Sequence, residues 1–362
     1  MSSTAEHRRT ADDLSDTHGT GVPLLEVTDL VKHFPVRSSG IIRRTIGQVQ
    51  AVDGISFTLG RGESLGLVGE SGCGKSTTGR LLTKLFEPTS GSMVFEGTDL
   101  VPLSSKQMLP FRKDIQMIFQ DPYSSLNPRH TVGAIVGTPL RTHQVVPNNQ
   151  VLTRVQELLE LVGLNPEHYN RYPNEFSGGQ RQWIGIARAL ALQPKVMVAD
   201  EPVSALDVSI QAQVVNLLLD LQKEFGISFL FIAHDLAVVR HFCTRIAVMY
   251  LGKIVEIGDR QEIYHNAHHP YTQALLSAIP DVKQATIGGR RERIKLEGDV
   301  PSPINPPSGC RFRTRCWKAE DICAQQEPPL IQIGTTSQQA ACHFAEPLEA
   351  ALHRGTVQTR NV

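Results

Sequence analysis

Short apolar runs alternate with amphipathic stretches along most of this chain. The runs at 65–68, 196–199 and 229–233 have the length and composition of buried strands. Helical spacing of apolar positions marks 77–86 and, most clearly, 151–162. Because strands alternate with helices, the pattern predicts an α/β fold around a parallel core sheet.

A glycine-rich segment joins the first of these strands to its helix. It reads Gly69, Glu70, Ser71, Gly72, Cys73, Gly74, Lys75, Ser76 and Thr77. This fits the phosphate-loop pattern G-x-x-x-x-G-K-[ST], whose backbone N–H groups cradle phosphates while the lysine reaches the terminal ones. The hydroxyl of Ser76 would bind Mg²⁺. Taken alone, the segment could be an ordinary glycine-rich turn, but its place between a strand and a helix favours nucleoside triphosphate binding.

Two carboxylates and a second helix start belong with this site. The run at 196–199 ends in Asp200 and Glu201, and phosphoryl transfer needs one carboxylate near Mg²⁺ and another that orients the attacking water. A second anion-binding helix terminus opens the predicted helix 182–192, and it is formed by Ser177, Gly178, Gly179 and Gln180. Two such starts in one chain are explained by a head-to-tail dimer that binds each ATP between two subunits.

Composition limits the remaining possibilities. The 362 residues suffice for one large domain with an appendage. Basic and acidic residues both number 36, so the formal net charge is zero, which argues against nucleic-acid binding. No apolar run approaches the roughly 18 residues that span a bilayer, and residues 1–22 lack the apolar segment of a secretory signal. We therefore expect a soluble intracellular protein with a disordered leader at 1–22.

The motifs follow the order found in ATP-binding-cassette (ABC) ATPases, and residues 23–260 resemble that family. Phe34 matches the aromatic residue that stacks on adenine, and Gln120 resembles the glutamine that touches Mg²⁺ and senses the transmembrane partner. Asp207 lies in a segment that resembles the loop crossing the dimer interface, and His234 matches the switch histidine that contacts the γ-phosphate. Each residue alone would more often be structural, but seven motifs in this order are specific.

The resemblance implies an active ATP hydrolase. Glu201 would polarise the attacking water, while His234 and Lys75 would stabilise charge developing at the γ-phosphate. Mg²⁺ would be held by Ser76 and Gln120, with Asp200 acting through water. ATP binding would close two cassettes and pull on the coupling helices of a permease.

The family's architecture is implied as well. An ATPase domain is predicted at 23–265, with a parallel sheet flanked by helices, an antiparallel β subdomain and a helical subdomain at about 105–180. Residues 266–362 would form a small, loop-rich C-terminal extension. The chain has no internal repeats, so this single cassette needs a second one to close its sites.

Longer phrases resemble one branch of the family. Residues 119–129 (FQDPYSSLNPR) and 201–213 (EPVSALDVSIQAQ) look like ATPase subunits of oligopeptide and dipeptide importers, and 269–276 start the extension typical of them. The chain resembles the second of two paralogous types. This implies a sister ATPase subunit, two permease subunits and an extracytoplasmic binding protein as partners, at the cytoplasmic face of the inner membrane. Trp183 stands where the family more often has arginine, and at the dimer seam it could change hydrolysis or partner choice.

Four of the six cysteines fall in the extension: Cys310, Cys316, Cys323 and Cys342, separated by 5, 6 and 18 residues. So small a unit commonly needs a cross-link, such as disulfides or a bound metal, to be stable. A reducing cytosol disfavours disulfides. The tight C-x₂₋₄-C pairs typical of zinc are absent, so the pattern favours a [4Fe–4S] cluster. Some members of the resembled family bind such a cluster with a similar cysteine set. Zinc and unliganded thiols remain alternatives.

Three arginines, Arg311, Arg313 and Arg315, alternate around the first two of these cysteines and could offset the negative charge of a cluster. Of the other two cysteines, Cys73 lies in the phosphate loop. Cys243 follows an apolar helix, where a small buried residue is the usual interpretation.

Other functions are compatible with parts of the sequence. A cassette protein that acts on ribosomes or DNA would carry two fused cassettes, a long coiled coil or a basic patch, and none is visible. A redox-sensing module would use the cysteines as its centre, and this role would accompany transport rather than replace it. Among transporters, nickel, opines, glutathione and sugars are alternative cargoes, because the ATPase subunit does not touch the cargo.

Overall fold

A computed structural model describes residues 22–38, 45–204, 206–279 and 294–347. The predicted leader, apart from Val22, lies outside these residues, as does the last part of the predicted extension. The strands are β1 Leu25–Arg37, β2 Thr45–Leu59, β3 Ser64–Val68, β4 Ser90–Phe95, β5 Thr98–Asp99, β6 Ile115–Ile118, β7 Val196–Asp200, β8 Ser228–Ala233, β9 Arg245–Tyr250, β10 Lys253–Asp259, β11 Ile331–Gln332 and β12 Gln339–Ala340.

Helices connect and flank these strands. They are α1 Lys75–Leu82, α2 Leu109–Asp114, α3 Pro122–Ser125, α4 Val132–Thr142, α5 Val151–Leu161, α6 Gly178–Leu190, α7 Val208–Phe225, α8 Leu236–Phe242, α9 Arg260–His265, α10 Pro270–Ser277 and α11 Asp321–Gln325. Short 3₁₀ helices lie at Asn148–Gln150, Pro166–Asn170, Pro173–Glu175 and Arg313–Arg315.

The strands form two sheets. The larger has the order β11-β12-β10-β9-β3-β8-β7-β6, and its members β9, β3, β8, β7 and β6 are parallel. The smaller is antiparallel, with the order β2-β1-β4-β5. The carboxyl ends of β3, β7 and β8 therefore meet at one edge of the larger sheet, where ligands of open parallel sheets commonly bind.

Alternating side chains of the parallel strands face two hydrophobic cores. In β7, Val196 and Val198 belong to the core beneath the antiparallel sheet, whereas Met197 and Ala199 belong to the core shared with the helical region. Every residue of β7 is buried, which is why this strand reads as a continuous apolar run rather than as an alternating one.

Two helices have boundaries that differ from the predicted ones. Helix α1 starts at Lys75, inside the glycine-rich segment, and ends at Leu82 rather than at residue 86. Lys84 has a φ of 53°, in the left-handed region that ends a helix. Helix α6 starts at Gly178, four residues before the predicted start, because Ser177 caps it with its side chain.

The C-terminal extension is attached to the core sheet. Strand β12 pairs with β10 through Glu256 opposite Ala340 and Ile257 opposite Gln339, and β11 pairs with β12. Phe312 is 1% exposed, and its ring contacts those of Tyr250 and Tyr271. Segments far apart in sequence thus share backbone pairing and one aromatic cluster.

Glu256 is the polar centre of this junction. Its side chain is fully buried and accepts hydrogen bonds from the backbone N–H groups of His268 and His269, at 2.7 and 3.2 Å, and from Nε2 of Gln338, at 2.7 Å. It therefore links β10, the start of α10 and the segment before β12. Burial raises the pKa of Glu256 to about 7, although the hydrogen bonds from the backbone of His268 and His269 and from Gln338 oppose the rise.

We expect Glu256 to make the stability of the protein depend on pH. Its pKa is raised from an ordinary value of 4.5, so the stabilisation is complete below that value and is lost as pH rises through about 7. Glu256→Gln cannot ionise. The free energy of unfolding of the wild type relative to this variant should fall by about 2 kcal/mol between about pH 5.5 and about pH 8.

Denaturant titrations at the two pH values measure this difference. His268 and His269, whose pKa values burial lowers, are present in both proteins, so their own titration largely cancels in the comparison. A difference that stays constant over the range would mean that the hydrogen bonds keep Glu256 ionised.

Candidate active site

The phosphate loop follows β3 in the backbone conformation that its glycines permit. Gly69, Gly72 and Gly74 have φ values of 154°, 79° and 110°. A Cβ atom on Gly74 would lie 2.0 Å from the carbonyl oxygen of Ala51, and one on Gly69 would lie 2.1 Å from that of Met249. Glycine is therefore required at both positions, because the loop is pressed against neighbouring backbone.

Lys75 is directed back over this loop. Its Nζ donates to the carbonyl oxygens of Gly69 and Glu70, at 2.8 and 2.9 Å, and lies 3.8 Å from Sγ of Cys73. Lys75 is only 4% exposed, and burial raises the pKa of Cys73. A buried ammonium held by uncharged carbonyl groups is available to an anion that enters the loop.

Ser76 and Asp200 form a hydrogen-bonded pair beside the loop. The Ser76 hydroxyl donates to Oδ1 of Asp200 at 2.7 Å. Asp200 is 1% exposed, and this burial raises the pKa of its carboxyl. The pair joins the start of α1 to the carboxyl end of β7, so hydroxyl and carboxylate oxygens, which are hard donors, lie side by side next to the phosphate loop.

Glu201 forms the second cluster, with Gln120 and His234. Its Oε2 accepts a hydrogen bond from Nε2 of Gln120 at 2.8 Å and lies 3.5 Å from Nδ1 of His234. Glu201 has a φ of 45°, a strained conformation for a residue with a side chain, and its N–H bonds to the carbonyl of Ile232 at 2.9 Å. Residues from three separate segments thus converge on one carboxylate.

The segment after Glu201 leads to the surface. The Ser204 hydroxyl donates to the carbonyl of Glu201 at 3.1 Å, and both residues line a small cavity with His234. Asp207 occupies the N-cap position of α7 without a side-chain capping bond, and Val208 beside it is 82% exposed. The Ser204 hydroxyl thus links the start of this segment to the backbone of Glu201.

The second helix start is open to solvent. Ser177 accepts a hydrogen bond from the N–H of Gln180, whose side chain bonds back to the N–H of Ser177. Ser177 and Gly178 are exposed. A Cβ on Gly179 would lie 2.7 Å from Ile210, but a Cβ on Gly178 would meet nothing within 4 Å. Gly178 therefore has no steric explanation within its own subunit.

The remaining predicted site residues lie farther out. Phe34 is partly exposed on β1, and its ring makes an edge contact with Phe86 at 5.4 Å and lies 5.0 Å from Nζ of Lys32. Trp183 packs in part against the core shared with the helical region, and its indole nitrogen is buried without a hydrogen-bond partner. The position of Trp183 at a dimer seam stays a prediction.

Contacts of Glu70 were not apparent from the sequence. The carboxylate binds both terminal nitrogens of Arg315, at 2.7 and 3.2 Å, and the N–H donates to the Tyr271 hydroxyl at 2.8 Å. Arg311 likewise pairs with Asp53. Two of the three arginines expected to offset a cluster's charge therefore bind carboxylates in the region predicted to be the ATPase domain. The alternation of the three arginines along the sequence indicated that their charges have a role, but it did not identify Glu70 and Asp53 as their partners.

The four cysteines of the extension line one small cavity. Burial raises the pKa values of Cys316 and Cys342 to about 12 and about 11, and the neighbouring thiols add to both shifts. Within the four described ranges, no group of three or more His, Cys, Asp or Glu side chains is arranged to hold a single metal ion. Zinc would bring its sulfurs within about 2.3 Å of one centre, whereas each cysteine of a cluster binds a different iron and can lie farther from the others.

The same absence is compatible with Mg²⁺ at the phosphate loop. Magnesium is usually held by one or two carboxylates together with substrate phosphates and water, rather than by a complete protein cage. Ser76 and Asp200 supply such a partial oxygen set.

In the part of the chain that the structure describes, no helix is long and apolar enough to cross a bilayer.

Two family models match the chain. Residues 52–204 match the ABC transporter model, and residues 255–323 match the model of the oligopeptide/dipeptide transporter C-terminal region. The second match begins in β10 and includes three of the four cysteines.

Curated relatives extend the similarity to most of the chain. The oligopeptide transport ATP-binding protein AppF of Bacillus subtilis is 54% identical over 322 residues, which cover 89% of this chain and 97% of AppF. The dipeptide transport ATP-binding protein DppF of Escherichia coli is 50% identical, with coverage of 88% and 94%. The oligopeptide transport ATP-binding protein OppF of Salmonella typhimurium is 51% identical, with coverage of 90% and 97%.

Solved structures share the fold of the ATPase domain. The dimeric ATP-binding cassette MJ0796, in a post-hydrolysis state bound to ADP and Pi, has a TM-score of 0.58 and 28% identity, and the match covers 65% of this chain and 98% of that one. CbiO1 of Clostridium perfringens has a TM-score of 0.57 and 28% identity, with coverage of 67% and 90%.

Proposed function

This chain belongs to the ABC transporter ATPases, in their oligopeptide/dipeptide branch, and from that premise we propose that it hydrolyses ATP to power peptide import through a membrane permease. The observation that carries the proposal is the convergence of Lys75, the Ser76–Asp200 pair and the Glu201 cluster at one edge of the parallel sheet. The peptide cargo is inferred from the relatives and from the match of the extension.

The residues of this edge would divide the work of hydrolysis. Lys75 would leave its two carbonyl partners for the terminal phosphates. Ser76, Asp200 and Gln120 would hold Mg²⁺, which neutralises phosphate charge when bound. Glu201 would accept a hydrogen bond from the attacking water and orient it, and His234 beside it would stabilise charge developing on the γ-phosphate.

A second cassette would complete each site. Ser177 and Gly178 are exposed. No steric contact within the chain requires a glycine at position 178. Close approach of a partner's phosphate would explain that glycine, since the helix start offers free N–H groups to an anion. We propose a sister ATPase subunit as the partner, bound head to tail.

The proposed assembly lies at the cytoplasmic face of the inner membrane. Two permease subunits would be contacted by the helical region near Gln120, whose side chain already touches Glu201. Tyr123, three residues farther on, is 67% exposed and would lie on this surface. An extracytoplasmic binding protein would deliver the peptide to the permease and would not touch this chain.

We also propose that Cys310, Cys316, Cys323 and Cys342 bind a [4Fe–4S] cluster. The support is that all four line one cavity, where neighbouring thiols add to the raised pKa values of Cys310, Cys316 and Cys342, although the four do not gather around a single ion. When bound, the cluster would cross-link the loop-rich extension through its four thiolates.

Metal analysis of anaerobically purified protein tests the cluster. We expect iron and acid-labile sulfide in equal amounts, and Cys316→Ser should lose most of both. Cys243→Ala is the matched control, because Cys243 is a fully buried thiol at the end of α8 and should leave the iron content unchanged. One zinc per chain, or no metal at all, would exclude the cluster.

Peptide import is tested by uptake of a labelled tripeptide in cells that carry the wild type or Glu201→Gln. Loss of uptake, with the variant present at normal level, supports the proposed function. Glu224→Gln, on the exposed end of α7, should transport normally. Uptake that is unaffected by Glu201→Gln would reject tripeptides as the cargo and direct the search to dipeptides and nickel.

A further inference from the structure

The phosphate loop is bound by the C-terminal extension through a single residue, Glu70. Its N–H donates to the hydroxyl of Tyr271 at 2.8 Å, and its carboxylate accepts two hydrogen bonds from Arg315. Its carbonyl oxygen accepts from Nζ of Lys75 at 2.9 Å. Backbone donor, backbone acceptor and side chain of one loop residue are thus all engaged, two of them by the extension.

These contacts are built into a well-packed surface. The Tyr271 side chain is fully buried and packs against Tyr250 and Phe312, with ring centroids 4.7 and 5.4 Å away. The side chain of Arg315 is 8% exposed and that of Glu70 is 27% exposed. A two-pronged ion pair so poorly exposed is held in one geometry, unlike a surface pair that water can replace.

Arg315 is positioned by the segment between the first two cysteines of the extension. At the other end of that segment, Arg311 binds the carbonyl of Leu251, the side chain of Asp53 and Oε1 of Gln50. The segment therefore crosses to the ATPase domain at two points, four residues apart. Arg313, between them, bonds only to Ser308 of the extension among its described contacts.

We propose that Arg315 and Tyr271 are positioning residues for ATP binding, which act by fixing Glu70 and through it the phosphate loop. A loop released from these contacts would spend part of its time in arrangements that do not match the phosphates. Because only the competent fraction binds, the Kd for ATP rises by the inverse of that fraction. The chemical step, which depends on Glu201 and His234, should be little affected.

The test is ATP binding by the full-length chain, measured with a fluorescent ATP analogue. We expect Arg315→Ala to weaken binding about 10-fold, and kcat at saturating ATP to stay within about twofold, so that the loss appears in KM. Arg313→Ala is the matched control, since it removes a guanidinium from the same segment without touching the loop, and it should bind like the wild type. Arg315→Lys, which keeps the charge but not the two-pronged geometry, should restore part of the affinity.

A double-mutant cycle distinguishes positioning through Glu70 from a general loss of stability. Glu70→Gln should weaken ATP binding to a similar degree, and adding Arg315→Ala to it should have no further effect. Equal effects of Arg315→Ala in both backgrounds would overturn the proposal. ATP binding by the Arg315→Ala protein as tight as that by Arg313→Ala would overturn it as well.

Tyr271→Phe keeps the buried ring and removes only the hydroxyl, so it tests the second contact and serves if Arg315→Ala does not fold. It should weaken ATP binding about threefold, as expected for the loss of one neutral hydrogen bond. Affinity equal to that of the wild type would exclude Tyr271 from the proposed role. These measurements are made on nucleotide binding and ATP turnover, so their outcome does not depend on which cargo is transported.

Discussion

Glu201→Gln should lower ATP turnover by at least about 100-fold, because the amide cannot orient and polarise the attacking water as the carboxylate does. ATP binding should be retained, since Glu201 bonds to Gln120 and lies near His234 rather than bonding to the phosphate loop. Without hydrolysis, closed ATP-bound dimers should accumulate. Phosphate release by the assembled complex and the apparent mass of the subunit with ATP measure the two effects.

Glu224→Gln is the matched control for this substitution. It makes the same chemical change at an exposed position near the end of α7 and should hydrolyse ATP at the wild-type rate. Turnover by Glu201→Gln above about a third of the wild-type rate would remove Glu201 from the role of the catalytic carboxylate. The base would then have to be sought among the neighbouring groups, beginning with Asp200.

Lys75→Ala should weaken ATP binding by about 100-fold, which corresponds to about 3 kcal/mol for a buried, charge-assisted contact with phosphate. In the absence of nucleotide, the ammonium bonds to two carbonyls of its own loop. It can exchange these for phosphate oxygens without dragging another charge along. Equilibrium binding of a fluorescent ATP analogue measures the loss.

The exposed Lys223→Ala removes a positive charge of the same kind from α7 and should leave ATP binding unchanged. Tight binding by Lys75→Ala would show that the backbone N–H groups of the loop suffice and that Lys75 acts only in the chemical step.

The family and the fold were predictable from the sequence, and both predictions are confirmed by the relatives and structural neighbours. A buried strand such as β7 was recognisable because its first four positions, 196–199, are all buried and leave an uninterrupted apolar run. The helix after the phosphate loop was predicted to start at residue 77 and to end at residue 86, whereas it starts at Lys75 and ends at Leu82. Glycines hide the start of a helix from periodicity, and no apolar pattern reveals that Lys84 adopts a positive φ.

The catalytic roles of individual residues stay predictions, although the structure brings many of them together. Ser76 and Asp200 are separated by 124 residues and yet share a hydrogen bond. Motif order could suggest this meeting because Asp200 ends one parallel strand and Ser76 lies at the start of the helix that follows another. Phe34 and Ser177 could be listed from the same motifs, but their nucleotide contacts depend on a ligand and a second subunit.

The contacts of the extension could not be derived in the same way. Arg315 reaches Glu70 across 245 residues and Tyr271 reaches it across 201, and neither contact belongs to a repeating pattern. Strands β11 and β12 have two residues each, too few for any alternation to be visible. Cysteine spacing predicted a shared site but could not decide between ligands, since it does not fix how the loops bring the thiols together.

The pairing of β12 with β10 bears on edge-to-edge aggregation through the large sheet. Without residues 339–340, β10 would be the last strand of the large sheet and would present unpaired backbone groups to any other chain. The extension covers that edge and ends the sheet in β11, which is too short to template a further strand. A fragment trimmed to the length of a smaller cassette would expose β10, so its solubility would be a poor guide to that of the intact subunit.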